Sequence, residues 1–511
     1  MNAASSPLVV GIDASTTAVK AVVYTATGRS VAVGRRSLPM AMPHPGWHEQ
    51  DPRDWWSATL AALGDAVEQV DRTRIGAIGV THQRESFACL DDAGDPIRPA
   101  LLWVDGRAGA EIADYGTEAV HALSGKPPDV TPALYKLAWL RRHEPETLPR
   151  SHRVVDTGGY LLWRFTDRYA TSVASADPLG LLDMRTRRWA PELLEIAGVD
   201  AGQLPALVAP GDIVGTLHPR LADELSLPAR IPVVAGAGDG QCAGLGAAVT
   251  GPGPAYLNLG TAMATGIHLA DYGWGRQFRT LINPLPTAYT GEMLLSSCTY
   301  LVRWLEEKFG GGSDDGVPDA ETARAAADVP PGSDGLLTLP YWNSAQTPYW
   351  DPLARGAVVG WRGSHGRPHL YRSILESTAL ELRLQIDGLE SWHDGEAGPI
   401  TEFRAMGGGS RSDLWLQIVA DVTRRPVQVC AEEEVSALGA AMLAAAAIGL
   451  HGEADIGAAA AAMASFTGVV EPADAEEAYE PLYAAYRRLY PQLAEIFPLL
   501  EKATSTAKGT A

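Results

Sequence analysis

"LVVGIDASTTAVKAVVYTATGR", residues 8 to 29, reads as two strands pinched around a small polar turn. An apolar run through Leu8, Val9, Val10 and Ile12 stops at Asp13, passes Ser15, Thr16 and Thr17, and resumes from Val19 to Tyr24. Runs rich in β-branched residues on either side of small polar ones are a hairpin signal. The tip of this hairpin carries an acid and three hydroxyls. Further strand-like runs recur at 75–80 (IGAIGV), 231–236 (IPVVAG), 255–259 (AYLNL) and 402–406 (EFRAM). Helical stretches such as 52–70 and 133–143 separate them, the first marked by Trp55, Trp56, Leu60, Leu63, Val67 and Val70 at three- and four-residue spacing. Strands alternating with helices predict an α/β architecture.

A chain of 511 residues is too long for one core of ordinary size, so two domains or more are expected, with function in a cleft between domains. The sequence is 46% hydrophobic, and no apolar run reaches the roughly eighteen residues needed to span a bilayer. The opening "MNAASSPLVVGID" lacks a basic n-region, which predicts a cytoplasmic protein. Four scattered cysteines, Cys89, Cys242, Cys298 and Cys430, form no C-x-x-C pair and read as reduced, structural thiols. A formal net charge of −20 disfavours nucleic acid as a partner. A seam of Gly and Pro at 246–254 (GAAVTGPGP) marks the domain boundary. Beyond it, "AYLNLGTAMATGIHLA" (255–270) repeats the opening plan of strand, small turn and second apolar segment. The Ala-rich stretch 437–447 predicts a buried helix, because Ala permits close packing at little entropic cost. The last residues, 501–511 (EKATSTAKGTA), read as a frayed tail.

Three small-residue turns, 13–17 (DASTT), 260–261 (GT) and 407–410 (GGGS), can each offer hydroxyls and backbone N–H groups to phosphate. None fits the Walker A pattern, which disfavours a P-loop fold. Asp239 follows an apolar strand and is flanked by Gly236, Gly238 and Gly240, which predicts a carboxylate left unobstructed at a strand end. Taken in order with "GAGDGQCAGLGAAV" (236–249) and "GAVVGWRGSHGRPHLYRSILESTALELR" (356–383), these turns resemble the FGGY family of carbohydrate kinases. The most specific part is "AMGGGSRSDLWLQIVADVTRRPVQVCAEEEVSALGAAMLAA" (405–445), and the resemblance runs from residue 8 to about 447.

The resemblance implies two ribonuclease H-like domains, the actin-like ATPase fold, around a central cleft. The N-terminal domain, residues 1–250, is expected on the sugar side, the C-terminal domain, 251–495, on the ATP side, and 496–511 as the tail. It further implies ATP and Mg²⁺, with Asp13 and Asp239 on the metal and Asp239 also the catalytic base beside the sugar. Nucleotide contacts then fall to Asp13, Ser15, Thr16, Thr17 and Lys20, to Gly260 and Thr261, and to Gly407, Gly408, Gly409, Ser410 and Asp413. Ser15 stands where many relatives have Gly.

On the sugar side, Gln83-Arg84-Glu85 looks like glycerol kinases, whereas Trp103-Val104-Asp105-Gly106-Arg107 looks closer to pentulose kinases. Gln83, Arg84, Glu85, Trp103 and Asp105 are the implied substrate contacts, and His82 is assigned to structure or pocket shape and not to proton transfer. At 339–352 (LPYWNSAQTPYWDP), Ser344, Ala345 and Gln346 replace the Gly-Glu-Arg of many relatives. The expected activity is transfer of the γ-phosphoryl group of ATP to a hydroxyl of a small sugar. A pentulose of the xylulose or ribulose type leads, a glycerol- or erythritol-type polyol is the alternative, and a non-catalytic sugar sensor is a third reading. No nucleic acid or membrane partner is expected, and a homodimer is left open.

Overall fold

The computed structural model describes residues 6–309, 320–395, 397–452, 455–473 and 475–508. The opening hairpin forms as its pattern predicts, from β1 (Leu8–Ala14) and β2 (Ala18–Tyr24), with Asp13 opposite Lys20. The backbone N–H and hydroxyl of Ser15 both donate to the Ala18 carbonyl, at 3.0 and 2.8 Å, and close the turn. β3 (Ser30–Ser37) continues the antiparallel sheet on the β2 side. On the other side β4 (Ile75–His82) runs parallel to β1 and β6 (Pro232–Gly238) parallel to β4, with β5 (Ile213–Thr216) antiparallel at the edge.

The second large sheet repeats this plan. β7 (Pro254–Leu259) and β8 (Met263–Leu269) form the hairpin, flanked by antiparallel β10 (Tyr289–Leu295). β11 (Glu402–Met406) is parallel to β7, β12 (Val427–Cys430) parallel to β11, and β13 (Phe466–Val470) antiparallel to β12. The order β10-β8-β7-β11-β12-β13 matches β3-β2-β1-β4-β6-β5 strand for strand and direction for direction. The added strand β9 (Arg279–Ile282) lies outside β10. The short sequence echo at 255–270 is therefore the visible part of a duplicated sheet, and the two halves are the expected ribonuclease H-like domains.

Helices cover the sheets where apolar spacing foretold them. α1 (Pro52–Glu68) starts at Asp51, whose side chain accepts the Arg53 N–H, and Pro52 supplies a preset first-turn φ. It buries Trp55, Ala62, Leu63, Ala66 and Val67 beside β2 and β3. Each large apolar side chain so buried contributes about 1.5–3 kcal/mol. α2 (Ala133–His143) matches its predicted span. The second domain further contributes α4 (Arg367–Glu390), α5 (Asp413–Thr423) and α6 (Val435–Ala447).

The Ala-rich helix α6 is buried as expected, but against the other half of the molecule: it packs on β1 and β4 of the first sheet and on α3 (Asp239–Gly246). A Cβ at Gly11 would fall on the Ala437 carbonyl, and one at Gly439 on the Cys242 carbonyl. Only side chains as small as Gly and Ala permit such backbone approach. The α3–α6 crossing ties the two domains together behind the cleft.

The tail departs from expectation. Residues Phe497–Lys508 form a helix, anchored by the buried Phe497 beside Tyr490; residues 509–511 lie outside those described. The four cysteines are unbonded, and three of them are buried. Among the described residues, no helix is long and apolar enough to cross a membrane.

Candidate active site

Because β1, β4 and β6 are parallel neighbours, their C-terminal ends fall along one edge of the first sheet, the usual ligand-facing edge of such sheets. That edge carries Asp13, the turn Gln83–Ser86 and Asp239. Asp13 is buried, and among the described residues its Oδ1 meets no hydrogen-bond donor. Burial, followed by repulsion from Asp239, pushes its carboxyl up to about 7, against the attraction of Lys20. Asp239 opens α3, accepts the Gly240 N–H at 2.8 Å and the Nε of Arg84 at 2.9 Å through Oδ1, and keeps 35% of its side chain exposed. A buried acid with an unmet oxygen beside a second, accessible acid suits a hard divalent cation, which takes few protein carboxylates when phosphate and water complete its shell.

Arg84 and Glu85 leave β4 through a tight turn in which Glu85 adopts a positive φ of 60°, and they do not pair with each other. Arg84 Nη1 lies 3.0 Å from both carboxylate oxygens of Glu292 on β10. Glu85 Oε1 accepts Arg279 Nη1 at 2.8 Å, and Arg279 also donates through Nε to Glu292 Oε2 at 2.7 Å. The Tyr256 hydroxyl completes the Glu292 shell at 2.5 Å. Burial would raise the Glu292 carboxyl, but Arg279 and Arg84 outweigh it and hold the group at about 2. The glycines around Asp239 serve this network: a Cβ at Gly240 would lie 2.7 Å from Glu292 Oε1, and one at Gly238 would fall on Arg84 Cγ. The carboxylate of Asp239 is thus held by an arginine instead of standing unobstructed.

Two expected sugar contacts are redirected. Asp105 is fully buried; its oxygens accept Arg107 Nε at 2.7 Å, Arg107 Nη2 at 2.8 Å and the His48 N–H at 2.6 Å. Arg107 in turn lies over the Trp47 ring at 3.9 Å, so Asp105 ties Arg107 into the wall. Gln83 is buried too, donating to Gln50 Oε1 at 3.1 Å and accepting the Ser86 hydroxyl at 3.1 Å. Both side chains turn inward to polar partners within the protein. Trp103 remains half-buried, and its Nε1 donates to Thr16 Oγ1 at 2.8 Å, joining the expected sugar wall to the hairpin tip.

At that tip, Thr16 accepts from Trp103 and so keeps its own hydroxyl proton to donate. Thr17 is exposed, whereas the Ser15 proton is used within the turn. Lys20 gives its ammonium to Glu434, 2.6 Å away at the start of α6, so its charge is already matched within the protein.

On the second sheet, β7 and β11 are parallel neighbours, which sets the turns after them side by side. Gly260 and Thr261 are held from behind, their carbonyls accepting the Thr299 and Cys298 N–H groups at 3.0 and 2.9 Å. Gly407 has φ 85°, and a Cβ there would lie 2.5 Å from Asn258 Oδ1. Gly407 and Gly408 are exposed, while Gly409 is buried. The Ser410 hydroxyl donates to the Gly407 carbonyl at 2.7 Å and closes this turn. Asp413 begins α5 and is exposed, with Ser412 as the helix cap. The aromatics at 339–352 pack: Tyr341 donates to Glu381 at 2.8 Å, and Tyr349 stacks on Tyr490.

Sequence reasoning missed Arg279, Glu292, Tyr256 and Glu434. One signal was available: Glu292 interrupts an otherwise uncharged seven-residue strand that is buried throughout, and an acid there demands a partner. The models of the FGGY family of carbohydrate kinases match residues 8–246 with their N-terminal domain and 255–448 with their C-terminal domain. Xylulose kinase of Escherichia coli (strain K12) is 30% identical over 495 residues, covering 95% of this chain and 99% of that protein. Glycerol kinase of Thermococcus onnurineus (strain NA1) is 30% identical over 465 residues, 86% of this chain and 89% of that protein. The crystal structure of xylulose kinase from Rhodospirillum rubrum superposes with a TM-score of 0.86 at 29% identity, covering 96% of this chain and 99% of that one. Two duplicated sheets, the first with a pair of acids and both with small-residue turns at their carboxyl edges, together with family matches over both halves, identify the chain as belonging to the FGGY family of carbohydrate kinases.

Proposed function

We propose that this kinase transfers the γ-phosphoryl group of ATP to a hydroxyl of a pentulose of the xylulose or ribulose type. Residues 1–250 form the sugar side of the cleft and residues 251–495 the ATP side. The observation that carries the reading is the pair Asp13 and Asp239 at one sheet edge, one buried with an unmet oxygen and the other accessible and held by Arg84. Phosphoryl transfer asks a protein mainly for positioning and charge stabilisation, with a carboxylate to accept the hydroxyl proton. Asp239 takes that proton. Arg84 holds the base in place, and Glu85 and Trp103 bound the sugar. The hydroxyls of Thr16 and Thr17 and the N–H groups of the 260–261 and 407–410 turns receive the phosphates, with Asp413 near the adenosine. Asp13 and Asp239 fit Mg²⁺, which when bound neutralises charge on the phosphoryl oxygens.

Similarity to xylulose kinases over nearly the whole chain favours the pentulose. The Arg84-Glu85 pair, similar to that of glycerol kinases, keeps a polyol as the second reading. We assign the protein to the cytoplasm. The test is ADP release with xylulose, ribulose, erythritol and glycerol compared by kcat/KM. A pentulose is expected to lead. Glycerol leading would replace the substrate, and ATP binding without ADP release on any sugar would leave the sensor reading.

A further inference from the structure

The edge of the first domain that holds Asp239 is not self-sufficient. Arg84, the only cation bonded to Asp239 among the described residues, points its guanidinium Nη1 into the Glu292 carboxylate of β10, and Glu85 is met by Arg279 of β9. Both partners belong to the second domain. Glu292 is the hub: its two oxygens take Arg84, Arg279 and the Tyr256 hydroxyl, and it is completely buried. With a carboxyl held near 2, it stays ionised across the working pH range. Room for the hub is built into the backbone, since Gly240 faces Glu292 and Gly266 faces the Tyr256 ring. A second bridge lies alongside, where Lys126 Nζ contacts the Thr280 carbonyl and Asp177 Oδ2 accepts the Ile282 N–H at 2.7 Å.

We infer that Glu292, Arg279 and Tyr256 are positioning residues for phosphoryl transfer, contributed by the second domain to fix Arg84 and Glu85 and, through Arg84, the base Asp239. Arg84 is a long, flexible side chain. Bonded only to Asp239 it would wander with that exposed carboxylate; clamped by Glu292 it presents Nε from one place. Arg279 plays the same part for Glu85. Order at the sugar end of the cleft therefore depends on contact between the domains and not on the first domain alone. None of the three residues is assigned a contact with substrate or nucleotide.

The inference rests on the kinase reading, and one set of assays separates the two. Sugar-dependent ADP release is measured for the parent, Glu292→Gln, Tyr256→Phe, Arg279→Lys and Arg279→Met, with ATP binding followed by calorimetry. Misplacing a reacting group by about 1 Å costs on the order of 100-fold. Glu292→Gln is accordingly expected to lower kcat by about 100-fold while ATP affinity stays within about twofold. Tyr256→Phe, which deletes one hydroxyl, is expected to lower kcat several-fold in the same direction and serves if Glu292→Gln does not fold. Arg279→Lys should retain more turnover than Arg279→Met. On an Arg84→Ala background the further loss from Glu292→Gln should shrink to what acts through Arg279 and Glu85, since the Arg84 route is gone. Parent-like kcat in folded Glu292→Gln or Tyr256→Phe overturns the inference, as does a loss that persists undiminished without Arg84. A parent enzyme that releases no ADP with any sugar overturns the kinase reading instead.

Discussion

Replacing Asp13 by asparagine is expected to stabilise the ligand-free protein at pH 8 while abolishing its turnover. The native carboxyl sits at about 7 against 3.8 for a free side chain, first because it is buried and second because Asp239 repels its charge. A native pKa above the unfolded one means that the folded protein holds the proton more tightly. The stabilisation that this gives is complete below about pH 4 and is lost as pH rises towards 7. Above 7 the folded state keeps a desolvated carboxylate. A difference of roughly 3 units at 1.36 kcal/mol per unit makes that cost about 4 kcal/mol. Asparagine has the shape of the protonated acid and carries no charge, so it escapes the cost at high pH and gains nothing at low pH. The assay is urea unfolding of parent and Asp13→Asn with a chelator present, at pH 5 and pH 8. The gap should open towards 4 kcal/mol at pH 8 and close towards pH 5, and millimolar Mg²⁺ with ATP should restore the parent alone. A variant less stable than the parent at pH 8, or a gap that does not change with pH, would refute the reasoning.

Asp239→Asn should retain ATP binding by calorimetry and lose about 100- to 10,000-fold in turnover, the usual contribution of a general base; near-parent turnover in a folded variant would remove it from that role. Glu85→Ala should raise the KM for the sugar and leave that for ATP unchanged, because an unpaired buried partner costs about 1–3 kcal/mol on the sugar side only; steady-state kinetics with both substrates varied decides. Gly11→Ala drives a methyl group onto the Ala437 carbonyl and is expected to cost about 3 kcal/mol in a denaturant titration; a parent-like midpoint would contradict the close approach of α6 to β1.

Local elements were legible in the sequence wherever one short pattern determined them. The β1–β2 hairpin, α1 and the isolated strands follow from apolar spacing, and the burial of α6 follows from its Ala content. The duplication was legible only at 255–270, because the rest of it lies in pairings such as β11 with β7, made by segments some 150 residues apart, that no local pattern encodes. The tail became a helix through docking of Phe497, a tertiary event. At the site, a motif gives residue type and the end of a strand but not the direction a side chain takes. Gln83 and Asp105 sit in motifs of sugar-binding character, yet they turn into networks that include Gln50 and His48, brought there by another part of the chain, and, for Asp105, its own motif neighbour Arg107. Glycines beside Asp239 suggested access for a ligand; their neighbours turned out to be Arg84 and Glu292.

The charge balance of the site explains why a divalent cation suits it. Arg84 and Arg279 stand among Asp239, Glu85, Glu292 and Asp13, two positive groups against four acids, while Lys20 and Glu434 cancel each other. Glu292 cannot relieve the excess by protonating, since two guanidiniums hold it ionised, and Asp239 relieves part of its own charge through solvent and Arg84. Asp13 is the acid of this group whose buried oxygen meets no donor among the described residues, and burial first, then the repulsion of Asp239, raises its carboxyl. Under the proposed function, Asp13 and Asp239 would hold a doubly charged ion, which would offset the same excess of negative charge without a proton.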